Sequence, residues 1–183
     1  NIYVTSSGNG GALIGIRAAS IGFANITNNT IGGITVSGTS SVITTAFTGI
    51  SFGGAGNFNV NNNQVGNATS NNIRQGYFLN GANLSDAGTA TATSSVFSVI
   101  SGIQTTSMSG NSLTINGNIL QGWQTSGTVA AISGISASFS TMTGINPTVN
   151  INQNALGTAS TGFINYAFTN TGFTAILAGI TFG

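Results

Sequence analysis

The chain has 183 residues, of which 28 are glycine and only three are charged: Arg17, Arg74 and Asp86. Ordinary soluble domains are about 25% charged, whereas this chain is 40% hydrophobic, has a net charge of +1 and contains neither His nor Cys. That composition is too apolar for a disordered segment, offers no basic patch for nucleic acid, lacks the usual ligands of zinc, copper and iron, and has no run near the roughly 18 apolar residues of a membrane span.

Taken in chain order, two short units alternate. A strand-like ALIGI ends at Ile16, and NITNNTIGG follows from Asn25; AFTGI ends at Ile50, and NVNNNQVGN follows from Asn59. Next comes QGYFLNGANLSDAGTATATSS from Gln75, which matches neither unit, and then the pattern resumes. VISGI at Ile103 is followed by TINGNILQG from Thr114, AISGI at Ile135 by NINQNALGT from Asn150, and ILAGI closes at Ile180.

Aligning the asparagine-rich units places Asn29, Asn63, Asn118 and Asn154 in one column. Ile26, Val60, Ile115 and Ile151 stand three residues earlier, Ala24, Phe58, Leu113 and Val149 two before those, and Ile31, Val65, Leu120 and Leu156 two residues after the Asn. Alternation at period two, followed by a break at the Asn, reads as a strand and then a turn. Gly, Ser, Thr and Asn between the apolar positions disfavour helix, and the β-branched residues suit a pleated surface. The Asn columns are 34, 55 and 36 residues apart, which indicates a rung of about 35 residues repeated as a solenoid. The expected fold is all-β: a right-handed parallel β-helix of roughly four to five rungs in a single domain. The long interval, approximately residues 67–97, reads as an inserted loop or a degenerate extra rung. The loop is adopted because the Asn column has no representative there. A β-sandwich would also alternate, but gives no reason for the same positions to return in every rung.

In such a coil equivalent residues stack about 4.8 Å apart, so the four asparagines are expected to form an amide ladder that satisfies the buried turns. These residues resemble the Gly-, Asn- and Thr-rich right-handed β-helix repeats of very large secreted surface proteins of Bacteroidota, in which "ITNNTIG" units alternate with "SGI" units. The resemblance spans Gly15 to Ile180. It implies export, through the type IX pathway, to the cell surface or an extracellular assembly.

Catalysis has little to stand on. Glycoside cleavage needs paired carboxylates, and Asp86 is the sole side-chain carboxylate; a nucleophilic Ser or Thr would lack a base. GNGG at Gly8 and GGAG at Gly53 lack the Lys and the helix start of phosphate loops and read as turns. Arg74 and Asp86 fall in the inserted segment as solvated charges or a salt bridge, and Arg17 faces outward. Trp123, Tyr77 and Tyr166, with Tyr3, are candidate glycan-stacking or partner contacts, although aromatic residues more often pack. Sequons occur at Asn25, Asn28, Asn67 and Asn83, as composition alone would generate. Ice binding would need outward Thr ranks on successive rungs, and TATAT from Thr89 supplies one.

The expected function is that of a non-enzymatic structural or adhesive protein, with a glycan-binding module as the alternative. The chain begins at Asn1 and stops at Gly183 within a strand-like run, which reads as a processed unit or a piece of something longer. Neither end carries a capping helix, clustered charge or proline, the usual protection of a terminal rung. The expected partner is therefore the protein itself, stacked end to end or donating a strand, or further rungs of a longer parent chain.

Overall fold

The computed structural model describes residues 2–6, 11–19, 22–38, 44–70, 72–77, 97–110, 112–126, 129–139, 147–166 and 174–182. The first turn of the coil runs through β1 (Ile2–Ser6), β2 (Gly11–Ala19), β3 (Phe23–Thr27) and β4 (Thr30–Ile31). The second comprises β5 (Ile34–Gly38), β6 (Thr44–Gly54), β7 (Asn57–Asn61) and β8 (Gln64–Val65). The third has β9 (Ile73–Tyr77), β10 (Phe97–Met108), β11 (Ser112–Asn116) and β12 (Ile119–Leu120). The fourth has β13 (Trp123–Ser126), β14 (Val129–Ala137), β15 (Thr148–Asn152) and β16 (Ala155–Leu156), and β17 (Ile164–Tyr166) and β18 (Thr174–Phe182) begin a fifth.

Each strand pairs in parallel with its equivalent one turn away, giving four ladders: β1-β5-β9-β13-β17, β2-β6-β10-β14-β18, β3-β7-β11-β15 and β4-β8-β12-β16. The protein is a parallel β-helix, and the repeat unit is a full turn of the coil. The predicted columns are in register: Ile26, Val60, Ile115 and Ile151 pair in sequence, as do Ile31, Val65, Leu120 and Leu156. The middle members of each column are fully buried, while Ile151 and Leu156 at the far end are half-buried.

The GI unit has a packing cause. In the long second ladder, Ile50, Ile103 and Ile135 are fully buried, and the glycine before each faces the fourth ladder. A Cβ on Gly49 would lie 2.6 Å from the carbonyl oxygen of Gly102 and 2.7 Å from Val65; on Gly102, 2.6 Å from both the Gly134 oxygen and Leu120; on Gly134, 2.6 Å from the Gly179 oxygen and 2.7 Å from Leu156. The glycine column is the space into which the Val/Leu column packs. Such complementarity is felt to within a methyl group, because interiors are close-packed.

Two expectations are corrected. The sequence suggested two strand units per rung, but the coil also has the ladder β1-β5-β9-β13-β17, in which one column recurs as Ile2, Ile34, Ile73, Trp123 and Ile164 while the next, Tyr3, Thr35, Arg74, Gln124 and Asn165, does not. Consequently the insertion does not occupy 67–97. Residues 73–77 are strand β9 and Phe97 opens β10; part of the extra length lies before β9, where residues 66–72 connect β8 to β9 in place of the two residues 32–33 and 121–122 of other rungs, and residues 78–96 lie outside the described residues. Arg74 accordingly lies in a strand rather than a loop. It is fully buried, and its Nε–H donates to Gln124 Oε1 at 2.8 Å, an arrangement that gives the guanidinium a hydrogen-bond acceptor in place of water.

Replacing Gly102 by Ala, which forces a methyl against backbone and two core side chains, is expected to cost about 3 kcal/mol. Gly22→Ala, with nothing within 4 Å of its added Cβ, should stay within about 0.5 kcal/mol of the parent. Thermal or urea unfolding of the two variants checks both values.

Candidate functional site

The most organised polar feature is the corner between the third and fourth ladders. Just before each ladder Asn, the chain turns through a left-handed residue: Asn28 (φ 58°), Asn62 (φ 55°), Gly117 (φ 66°) and Gln153 (φ 55°). Left-handed backbone suits Gly and Asn and costs other L-residues about 1 kcal/mol, which explains three of the four identities. The turn directs Asn29, Asn63, Asn118 and Asn154 into the stack. Asn118 and Asn63 are buried, at 0% and 1% exposure, and Asn29 and Asn154 are half-buried.

Their amides form the expected ladder. Asn29 Nδ2 donates to Asn63 Oδ1 at 2.9 Å, Asn63 Nδ2 to Asn118 Oδ1 at 3.0 Å, and Asn118 Nδ2 to Asn154 Oδ1 at 2.8 Å. Each of those oxygens also accepts the backbone N–H of the preceding Asn, at 3.0, 2.9 and 3.0 Å. The second amide hydrogen reaches back one turn: Asn63 to the Ile26 carbonyl at 2.7 Å, Asn118 to Val60 at 2.8 Å and Asn154 to Ile115 at 2.9 Å. The interior asparagines thus use both donors and both acceptor sites. A buried amide is tolerated only when satisfied in this way.

The two ends differ. No donor reaches Asn29 Oδ1 among the described residues, and Asn29 Nδ2, with no earlier rung behind it, turns to its own Thr27 carbonyl at 3.2 Å. At the far end, no following Asn among the described residues receives the backbone N–H of Asn154 or its other amide hydrogen, the one not bonded to the Ile115 carbonyl. A cavity of about 290 Å³ opens at the first rung, lined by Gly15, Ile16, Asn29, Thr30, Ile31, Gly32 and Ile34. It lies where the core columns and the ladder begin.

Among the remaining predicted positions, Trp123 is corrected outright. It is 1% exposed, its indole N–H donates to the Val65 carbonyl at 2.9 Å, and its ring lies against Phe163 with centroids 4.7 Å apart. An indole held this way fills the core and offers no face to a sugar. Tyr3, Tyr77 and Tyr166 fall in strands whose side chains at those positions are outside the described residues, as are Asp86, Asn83, Gly8 and the TATAT rank. Asn25 is exposed and its Oδ1 accepts from Asn59 Nδ2 at 3.2 Å. Asn28 is exposed in its left-handed turn. Asn67 is half-buried, with Oδ1 accepting the Thr69 N–H at 2.7 Å. Arg17 is exposed on β2. Among the described residues no group of three His, Cys, Asp or Glu comes together.

One surface went unrecognised in the sequence because it is the complement of the core pattern. The outward positions of β3, β7, β11 and β15 align as Phe23, Asn57, Ser112 and Thr148; Asn25, Asn59, Thr114 and Asn150; and Thr27, Asn61, Asn116 and Asn152. Apart from Phe23, this face is an uncharged lattice of amides and hydroxyls.

Asn118→Leu leaves the N–H and amide of Asn63 without an acceptor in the interior and should cost at least about 3 kcal/mol, whereas Asn29→Leu, at an end, should cost about 1 kcal/mol. Equal losses in chemical unfolding would show that the ladder is not cooperative with the core. Gln153→Gly, which relieves the one unfavourable left-handed residue, should stabilise the chain by about 1 kcal/mol, read as a rise in the urea midpoint.

No protein family, curated protein or solved structure matches the chain.

Proposed function

We propose that the protein is a non-enzymatic structural or adhesive element of an extracellular surface, lengthened along its axis by association of further rungs. The supporting observation is where apolar surface is left uncovered. Among the described residues, the exposed large hydrophobic side chains are Ile14 (41%), Phe23 (59%), Leu177 (61%) and Ile180 (47%). Every one of them belongs to β2, β3 or β18, the two ends of the coil. Leu177 and Ile180 are members of columns that are buried in the middle rungs, so what uncovers them is the absence of a neighbour along the axis. The same ends hold the unused donors and acceptors of the Asn ladder. Uncovered apolar columns together with unpaired strand edges favour association, and the near absence of charge leaves little repulsion against it.

A glycan-binding reading is favoured by one observation, the uncharged amide and hydroxyl face of β3, β7, β11 and β15. Retention on an insoluble polysaccharide that is abolished by Asn59→Lys would support it over a purely architectural role. Secretion and a place at the cell surface belong to the same proposal and rest on the resemblance of the repeat units.

Sedimentation and electron microscopy of the purified chain test the main reading. The expected result is concentration-dependent elongated oligomers or filaments about one coil wide. A stable monomer at high concentration would overturn self-association.

A further inference from the structure

Among the described side chains, Phe23 is the one aromatic residue left exposed. Phe47, Phe52 and Phe58 are fully buried and Trp123 is 1% exposed, whereas Phe23 is 59% exposed. Ala24 and Ile26 of β3 turn into the core, so the two-residue alternation of a strand points Phe23, Asn25 and Thr27 off the outer flat of the sheet. A further rung would extend that sheet at its edge and would not lie over this face. The outward direction of Phe23 is therefore independent of what adjoins β3 along the axis.

The neighbours of this ring on the face are amides. Asn57 pairs with Phe23 on the next rung, Asn25 follows two residues along the same strand, and Asn59 pairs with Asn25. Rungs lie about 4.8 Å apart and alternate residues of a strand roughly 7 Å apart, so these side chains border a patch that one sugar ring can cover. Asn59 Nδ2 donates to Asn25 Oδ1 at 3.2 Å, and Asn57 Oδ1 accepts the Ser112 N–H at 3.0 Å. Those bonds fix the amides before any ligand arrives, which lowers the ordering cost of binding. They also leave Asn25 Nδ2 as a donor and Asn59 Oδ1 as an acceptor with no partner among the described residues, and Asn25 is exposed.

A pyranose has an apolar C–H face and a rim of hydroxyls, each of which donates and accepts. An aromatic ring presents its electron-rich face to such C–H groups, and a donor beside an acceptor matches two adjacent hydroxyls. The face carries no charge, which fits a neutral sugar and leaves an ionic ligand without a counter-charge. Beyond Phe23, the column Asn25, Asn59, Thr114 and Asn150 repeats a polar group at every rung, so a linear chain laid along the axis meets one at each level. We propose that Phe23, with Asn25, Asn57 and Asn59, is a stacking subsite for a neutral, linear polysaccharide that runs along the coil over the polar columns. This inference rests on the glycan-binding reading of the same face and adds the ring that anchors the ligand. The stacking role expected of Trp123 passes to the aromatic residue that folding leaves outside.

Retention of the unmodified chain on insoluble cellulose, chitin and mannan, with soluble oligosaccharides of increasing length as competitors, tests the subsite. Phe23→Ala is expected to weaken retention by about tenfold or more, as loss of an aromatic anchor does, while Phe23→Trp, which restores a stacking surface, keeps it. Competition should strengthen with oligosaccharide length, because longer chains reach further rungs. Phe23 is exposed, so neither variant should move the thermal unfolding midpoint, which separates loss of the subsite from loss of the fold. Retention that survives Phe23→Ala but is abolished by Asn59→Lys would overturn the subsite and leave the glycan reading of the face standing. Failure of the unmodified chain to bind any of the polymers would overturn both. If Phe23→Ala instead reduces self-association and leaves retention unchanged, the ring belongs to a contact between copies and the proposal fails.

Discussion

Everything in this fold depends on keeping equivalent residues in register from one turn to the next, and the interaction that enforces register is the asparagine ladder. A strand pair alone tolerates slippage, since backbone bonds are much the same in any register. An inward amide that must donate and accept along one column does not, because a one-residue slip would leave two donors and two acceptors buried without partners. The ladder bonds join residues 34, 55 and 36 apart in sequence. Register thus survives rungs of unequal length, and the insertion can be carried on one side without disturbing the turn.

The hydrophobic side of the coil follows from the same register. Once columns are fixed, the contact between the second and fourth ladders repeats in every rung, and a glycine opposite a branched aliphatic residue is the solution at each level. Few residues are needed to specify the core because each choice is used again one turn later. Charge has no comparable place in a stacked column, where like groups would sit about 4.8 Å apart. That accounts for a chain nearly devoid of it. Among the described residues the interior exception is Arg74, which lies in a column of unlike residues between Thr35 and Gln124, where neighbours are polar and no second cation is stacked on it.

A coil built this way solves its interior and leaves its ends unsolved. Middle rungs bury Phe47, Ile100 and Ile103 completely, while Leu177 and Ile180, in the same columns, stand open. The free energy available at an end is of the kind that already holds one rung to the next. Along its axis the coil repeats one packing solution, and β3, β7, β11 and β15 turn an uncharged face of amides and hydroxyls outward.

The sequence by itself determined the parallel coil, its Asn column and its apolar columns, because each is a local pattern repeated: alternation at period two, a turn residue, and the same identities a rung later. It also explained the asparagines without coordinates, since stacked amides are the means by which such a column is satisfied. The ladder containing β9 and β13 escaped notice because its one recurring column, Ile2, Ile34, Ile73, Trp123 and Ile164, stands beside the unlike Tyr3, Thr35, Arg74, Gln124 and Asn165; their places follow from pairing with neighbours remote in sequence. The same blindness placed Arg74 in a loop and left Trp123 open between a surface contact and packing, whereas both are interior. Residue type says what a side chain can do, but burial depends on what the remote rungs bring against it, and only the tertiary structure decides that.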